Sequence, residues 1–241
     1  MALPKIDTPI YDLELPLSKK KIQYRPFLVK EQRNLFMALE AGDKDSIERN
    51  IQQVLHNCTL TKGIKIEELP VLDIEYYFLH LRARSVGEVV ENRYRCDNEV
   101  EGKTCGNIME TSLNLLELKV EKTKEIDDLI QLTDKIAIKL RYPKFSVLHR
   151  LSSLTTASEI AFEMIADSVE FISDGEQIYY SKEVTREEIV EFIESLNQHQ
   201  FAKIEEFFAN LPKLEKRIEM KCSKCGFEHN INVEGLESFF A

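Results

Sequence analysis

The segment YRCDNEVEGKTCGN, residues 94–107, carries two cysteines, and the second is followed directly by glycine. The same arrangement returns in KCSKCGF, residues 221–227. Residues that alternate between apolar and polar, as in β-strands, flank each of the two loops. Four of the five cysteines of the chain therefore lie in two strand-flanked loops that are far apart in the sequence.

Both cysteine loops have the layout of a zinc knuckle. The glycine that follows the second cysteine of each loop permits a positive φ, so that backbone amides can turn toward the thiolate sulfurs. Structural Zn²⁺ takes four ligands in a tetrahedron, and four thiolates leave no open position for water. The pattern predicts one structural zinc site. Its predicted ligands are Cys96, Cys105, Cys222 and Cys225.

The spacing of the cysteines leaves alternatives open. The first loop has eight residues between its cysteines, DNEVEGKT, whereas the second has two. Reduced cysteines without a metal, a lost ancestral site and a redox pair all remain compatible with the pattern. His229 could replace one thiolate, but its place in a strand favours the surface. Cys58 lies on the apolar face of a helix, which favours a buried residue over a catalytic nucleophile.

The chain is acidic, with a formal net charge of -10 at pH 7 over 241 residues. Nucleic-acid-binding proteins use lysine and arginine to neutralise phosphates, so this composition argues against that class. The N-terminus lacks the basic start and apolar run of a signal peptide. No stretch approaches the roughly 20 apolar residues of a membrane span. We therefore expect an intracellular protein, in which paired cysteines bind metal more often than they form disulfides.

Outward from the cysteine loops, the hydrophobic pattern predicts several helices. Apolar residues recur at helical spacing, and Thr-x-x-Glu at Thr156 and Thr185 predicts capping boxes. The predicted helices cover 28–39, a segment from Asp43 or Asp45 to Cys58, a segment after Pro70 capped by Asp73, a segment from Thr156 to Val169, a segment opened by Thr185, and a segment that ends at Pro212.

Strand-like alternation predicts the remaining elements. The predicted strands are a hairpin within 11–25 and the segments 88–95, 108–118, 136–142, 176–180, 217–221 and 227–233, with a charged loop at 119–128. The fold class is thus α+β, with an N-terminal hairpin, helices and a mixed β region whose two knuckle hairpins form a zinc-ribbon-like site. We expect one interlocked architecture of three regions. These are residues 1–87 (hairpin and helices), 88–142 with 213–235 (the zinc-ribbon-like β region) and 143–212 (helices).

The sequence shows no catalytic constellation. Four of the five histidines, His56, His80, His149 and His199, are scattered without a metalloprotease spacing, and eight glycines leave little room for a phosphate-binding loop. The sequence therefore predicts a non-enzymatic protein. Aromatic runs exceed what one helix face can bury, so we expect part of them to contact other proteins. These runs are Tyr76-Tyr77-Phe78, Phe207-Phe208 and Phe239-Phe240.

An ordered set of longer segments carries a family resemblance. The segments are LPKIDTPIYDLELP (3–16), YRPFLVKEQRNLFMALE (24–40), LDIEYYFLHLRARSVGEVVENRYRC (72–96) and LNQHQFAKIEEFFANLPKLEKRIEMKCSKCGFEHNINVEGLESFF (196–240). Together they resemble the baseplate hub proteins of T-even-type contractile-tailed bacteriophages, a family of hub subunits and hub assembly factors. The segment RPFLVKE (25–31) is also similar to the start of tail assembly chaperones, which handle the tape-measure protein.

The resemblance implies a non-enzymatic, chaperone-like assembly factor or subunit of the central hub. Its partners would be other hub proteins and the tape-measure protein, and its location the host cytoplasm during assembly, or the tail baseplate if it stays in the virion. Where the family carries paired knuckles, the four cysteines would be the ligands. The alternative function is a zinc-ribbon adaptor that binds nucleic acid or a transcription complex. Its basic surface would be Arg93, Arg95, Lys103, Lys221 and Lys224.

Overall fold

The structure is a computed structural model that describes residues 6–42, 44–121 and 126–234. Its α-helices are α1 (Val29–Ala41), α2 (Lys44–Cys58), α3 (Val71–Ser85), α4 (Ser146–Leu151), α5 (Ala157–Ser168), α6 (Arg186–Glu194) and α7 (Gln198–Ala209). Its strands are β1 (Tyr11–Glu14), β2 (Lys21–Tyr24), β3 (Val89–Arg95), β4 (Glu99–Val100), β5 (Lys103–Thr104), β6 (Ile108–Asn114), β7 (Val120–Glu121), β8 (Leu129–Gln131), β9 (Ala137–Leu140), β10 (Val169–Ser173), β11 (Ile178–Tyr180), β12 (Lys213–Lys221) and β13 (Glu228–Glu234). The predicted α+β class is confirmed.

The strands of the described ranges form small antiparallel sheets. The hairpins β1-β2, β3-β6 and β4-β5 are two-stranded. One larger sheet has the order β11-β10-β9-β8, and another has the order β13-β12-β7. Two-stranded ribbons are marginal in water, and the β1-β2 and β3-β6 ribbons each bury apolar side chains against helices.

The first apolar core joins the predicted N-terminal hairpin to α1, α2 and α3. Tyr24 of β2 and Tyr77 of α3 are fully buried, and their rings meet edge to face at 5.3 Å. The predicted apolar face of α2 points into this core, since Val54, Leu55 and Cys58 are all buried. The helical spacing read from the sequence is therefore confirmed here, apart from the start at Asp43, which lies outside the described residues.

The second core packs α5, α6 and α7 against the four-stranded sheet. Thr156 and Thr185 accept hydrogen bonds from the third residue of their helices, and the glutamate at that residue returns the bond, so both predicted capping boxes are confirmed. Ile138 of β9, Ile193 of α6 and Ile204 of α7 are buried together.

The third core positions the cysteine loops. The β3-β6 ribbon and the β12-β13 pair lie against α3, with Leu79, Leu113, Leu214 and Val233 buried between them. Both ribbons extend beyond this core, and their far ends carry the cysteines. Fixing the two ribbons on one helix therefore brings together two hairpins that the sequence separates widely.

Several sequence predictions are wrong in detail. Asp73 does not cap α3, whose N-cap residue is Pro70; it accepts hydrogen bonds from the backbone of a distant turn instead. Val169 begins β10 and does not extend the preceding helix. The charged segment 119–128 is not all loop, because its residues 120–121 pair with β12 and residues 122–125 lie outside the described ranges. The strand predicted over 108–118 ends at Asn114.

The aromatic runs lie mostly within the cores. Tyr77 and Phe78 are fully buried, and Phe207 is 5% exposed. Tyr76 and Phe208 pack against buried clusters, while Phe239-Phe240 lies outside the described residues. Most of the first two runs is therefore core, and contact of the half-buried Tyr76 and Phe208 with other proteins stays a prediction. No helix in the described ranges combines the length and apolar character that a bilayer crossing requires.

Candidate metal centre

The ends of two ribbons hold the four predicted cysteines. Cys96 follows β3, and Cys105 follows β5 after the short β4-β5 hairpin. Cys222 follows β12, and Cys225 precedes β13. The eight residues between the first two cysteines fold out as the β4-β5 hairpin, so the insertion leaves the two thiols on one side of the loop.

The sulfur atoms form a compact group. The four Sγ atoms all lie within 4.8 Å of one another. Across the two hairpins, Cys96 Sγ lies 3.6 Å from Cys225 Sγ, and Cys105 Sγ lies 3.8 Å from Cys222 Sγ. A tetrahedral ion with metal–sulfur bonds of about 2.3 Å has sulfur–sulfur edges of about 3.8 Å. The group therefore has the dimensions of a four-thiolate metal site.

The turns at the two loops explain why glycine follows the second cysteine. Gly106 and Gly226 adopt φ values of 64° and 76°, which favour glycine. Their amides donate to the carbonyl oxygens of Cys96 and Cys222 at 3.0 and 2.9 Å. The two knuckles thus have the same glycine-to-cysteine backbone hydrogen bond, although their loops differ in length.

Backbone amides also adjust the acidity of the sulfurs. The amide of Cys225, helped by that of Lys224, outweighs burial and lowers the pKa of the Cys222 thiol to about 6. The amide of Phe227 lowers the pKa of Cys225 in the same way. Burial raises the pKa of Cys96 to about 12. A bound metal cation would displace a proton from such a thiol, because coordination deprotonates it outright.

Apolar side chains pack against the buried side of the centre, whereas Cys105 and Cys225 are half-buried. Cys96 is fully buried and Cys222 is 1% exposed. Met109 is buried beside them, and Tyr94 and Met220 pack against the same cluster. The four cysteines are hydrogen-bonded to one another or to neighbouring groups without any disulfide. The arrangement could hold a soft cation, and four thiolates would leave such a cation no open position for a substrate.

His229 lies at this centre, contrary to the sequence prediction of a surface position. Its Nε2 is 3.2 Å from Cys96 Sγ, and its side chain is 10% exposed. Its place in a strand favoured the surface, but the first cysteine loop covers His229 through Cys96 and Asp97. The register, in which His229 lies opposite Met220, points its ring toward the cysteines.

The other candidate residues lie away from the centre. Cys58 is fully buried in the first core, as predicted, and burial raises its pKa to about 12. His56 and His199 are exposed on α2 and α7. Within the described residues, Cys96, Cys105, Cys222 and Cys225 form the cluster with metal-binding geometry.

Comparison with known proteins identifies the family. The family model described as T4 bacteriophage base plate protein matches residues 8–241. The chain belongs to this base plate protein family. It is also 28% identical over 232 residues to the baseplate hub assembly protein gp26 of Enterobacteria phage T4, with 95% of this chain and 97% of the relative aligned. No solved structure gives a significant match.

Membership in the base plate family confirms the resemblance read from the sequence. The match begins near the first hairpin and includes both cysteine loops, so it covers all three apolar cores. The zinc ligands of this base plate protein stay a prediction, which stands on the geometry of the sulfurs.

Proposed function

We propose that the protein is a non-enzymatic subunit or chaperone-like assembly factor of the baseplate central hub. It acts through contacts with other hub proteins and with the tape-measure protein, in the host cytoplasm and, if retained, in the tail baseplate. The observation that carries this proposal is the nearly full-length relationship to a baseplate hub assembly protein. A relationship that spans both chains favours a shared role over a borrowed domain.

We further propose that Cys96, Cys105, Cys222 and Cys225 hold a structural Zn²⁺. The sulfur–sulfur distances and the amides that lower the pKa of Cys222 support this assignment. Zinc in such a site supplies a cross-link and no reactive position, because four thiolates fill its coordination. The role of the metal would be to keep two distant hairpins in one rigid arrangement.

Protein contacts need exposed apolar surface, and α1 provides it. Val29, Phe36 and Met37 are 80%, 55% and 61% exposed, and helical spacing places them on one face. Arg33 lies exposed between them on that face. We propose this face of α1 as the contact with a hub protein that presents an apolar surface and a carboxylate. Single exposed apolar residues are common, but a contiguous face is typical of interaction sites.

The nucleic-acid alternative has little free positive charge to use. Arg93 forms an ion pair with Glu110 at 3.0 Å, and Lys221 forms one with Glu228 at 3.2 Å. Lys224 donates to the carbonyl oxygen of Cys105. Most of the predicted basic surface is therefore engaged within the protein. Absence of DNA binding at low salt, where phosphate contacts are strongest, would remove this alternative.

Co-purification from infected cells tests the hub role. We expect the tagged protein to retain hub or tape-measure proteins, identified by mass spectrometry. Phe36→Asp together with Met37→Asp should abolish this retention, whereas Asn34→Asp on the same helix should not. A wild-type protein that retains no tail protein would contradict the proposed role. Retention that survives the double substitution would contradict only the use of α1.

Mass spectrometry of purified virions separates the two forms of the proposal. A subunit should be present at a fixed copy number per particle, whereas an assembly factor should be found in precursor baseplates and lost from finished particles.

A further inference from the structure

Among the residues that the structure describes, three polar side chains besides the four cysteines lie within hydrogen-bonding distance of the sulfurs at the candidate metal centre. Each comes from the hairpin opposite to the cysteine that it contacts, so the contacts cross between the two knuckles. Crossing contacts of this kind link the position of each hairpin to the sulfurs of the other. The pairs are His229 Nε2 with Cys96 Sγ (3.2 Å), Asn98 Nδ2 with Cys225 Sγ (3.6 Å) and Asn107 Nδ2 with Cys222 Sγ (3.5 Å).

We propose that these three side chains are outer-shell donors of the metal site, and that His229 sets how firmly the metal is held. This inference rests on the zinc site of the proposed function. Four thiolates around a divalent cation leave two net negative charges, and Cys96 and Cys222 are almost fully buried. N–H groups that donate to thiolates spread this charge, and such partners tune a metal site as the ligands themselves do.

His229 is held in place from two sides. Its ring meets the ring of Phe227 edge to face at 4.8 Å, and Asp97 Oδ1 lies 3.6 Å from its Nδ1. A metal-bound thiolate of Cys96 carries no proton, so the hydrogen in the short contact must belong to Nε2. His229 is therefore a positioning residue: it acts on the metal through the sulfur of Cys96.

The first cysteine loop contributes two of the groups that lie beside the other hairpin. Asn98 and Asp97 both belong to the eight-residue insertion between Cys96 and Cys105. The carbonyl oxygen of Asn98 accepts from the amide of Cys105 at 2.8 Å, which fixes the residue while its side chain reaches Cys225. The first loop therefore supplies both the aspartate beside His229 and the amide that donates to Cys225.

Zinc affinity of the full-length protein, measured by competition with a chromophoric chelator, tests the role of His229. His229→Phe keeps an aromatic ring against Phe227 and removes the donor, and we expect zinc binding to weaken by about 10- to 100-fold. His229→Gln keeps an N–H donor and should recover most of the affinity. His199→Phe, an equivalent change at an exposed histidine, should bind zinc as the wild type does.

Cobalt substitution shows which atoms coordinate the metal. We expect the sulfur-to-cobalt charge-transfer intensity and the ligand-field bands to be the same in the wild type and in His229→Phe. A change in the ligand-field bands that signals a lost nitrogen ligand would overturn the outer-shell role. Zinc affinity of His229→Phe within about twofold of the wild type would overturn it as well. A wild type that binds neither metal would instead remove the zinc site of the proposed function.

A second variant keeps the inference testable if His229→Phe does not fold. Asn107→Ala removes the donor to Cys222, whereas Asn230→Ala removes an exposed amide from β13. We expect only the first to weaken zinc binding. Equal affinities for the two variants would overturn the proposed donor set.

Discussion

At the scale of single residues, a buried ion pair ties α1 to the first hairpin. Glu31 is 2% exposed, and its carboxylate accepts from the amide of Leu28 at 2.8 Å and pairs with Arg25 at 3.1 Å. Burial alone would raise the pKa of Glu31, but the amide and the guanidinium outweigh it and hold the pKa below the ordinary value of 4.5. Breaking such a pair leaves the partner charge without compensation.

Glu31→Gln should therefore destabilise the protein in a pH-dependent manner. A lowered folded-state pKa stabilises the fold fully above about pH 4.5, and that contribution is lost as the pH falls through the folded-state pKa. We expect Glu31→Gln to lower the free energy of unfolding by about 2–3 kcal/mol at pH 7, and the difference to shrink below pH 4.5. Urea unfolding at several pH values measures it, with Glu40→Gln as the exposed control. A difference in the free energy of unfolding that does not change with pH would contradict this explanation.

A second buried carboxylate, Asp73, joins α3 to the turn after β1. It is fully buried, and its two oxygens accept from the amides of Leu17 and Ser18 at 2.8 and 2.9 Å. Asp73→Asn replaces one acceptor by a donor that faces an N–H group. We expect a loss of about 2–4 kcal/mol in the free energy of unfolding, measured by urea denaturation. Asp134→Asn, at an exposed turn, should leave the free energy of unfolding unchanged. An equally small effect of Asp73→Asn would show that the two hydrogen bonds of Asp73 contribute little to stability.

These residues show where sequence reasoning succeeds and fails. The four cysteines could be predicted because their spacing and following glycines are local signals. The contacts of Asp73 could not be predicted, because its partners lie more than 50 positions away. Its place at the start of a helix favoured a capping role instead. His229 could not either, since its neighbour Cys96 lies 133 positions away. Long-range polar contacts leave no periodic trace in the sequence.

At the scale of elements, local chemistry decides what can be predicted. The capping boxes at Thr156 and Thr185 fixed two helix starts, because a cap is formed by residues three positions apart. The short strands β7 and β8 were missed because two or three residues cannot show alternation. Such strands exist because a partner lies beside them; β7 pairs with β12 and β8 with β9.

The knuckle turns give a prediction at this scale. Gly226 and Gly63 both have positive φ, at 76° and 80°, and a Cβ at either position would meet no atom within 4 Å. Alanine at each should cost about 1–2 kcal/mol in the free energy of unfolding, owing to backbone strain alone. Only Gly226→Ala should also weaken zinc binding, because its strain falls on the turn that holds Cys222 and Cys225. Chelator competition and urea unfolding on both variants measure this, and equal zinc affinities would contradict it.

At the scale of the whole molecule, the cysteine cluster closes very long loops. Cys105 and Cys222 are 117 positions apart, and Cys96 and Cys225 are 129 positions apart. A cross-link that closes a loop of about 100 residues lowers the entropy of the unfolded chain. In the chain-entropy model it raises the free energy of unfolding by about 4–5 kcal/mol. A bound metal would also add its binding free energy to folding, because the unfolded chain has no preformed site.

Metal removal should therefore lower the melting temperature strongly. We expect a zinc chelator to reduce it by about 10–15 °C, since 1 kcal/mol shifts a domain of this size by roughly 2–4 °C. Calorimetry with and without chelator measures the change. Replacing all four cysteines by serine should give a similarly low melting temperature that no longer responds to the chelator. A wild type whose melting temperature ignores the chelator would contradict the cross-link.

Hydrogen exchange after metal removal shows how far the cross-link acts and tests the three-region division, which stays a prediction. We expect β3, β6, β12 and β13 to lose protection, because their far ends meet around the cysteine cluster. The helices α5–α7 should keep it, since their buried side chains form a separate core. Strands β8 and β9 decide the boundary at residue 142. Ile130 of β8 and Ile138 of β9 pack with α5–α7. We therefore expect these two strands to stay protected together with the helices. If they lose protection together with β3 and β6, residues 88–142 form one unit.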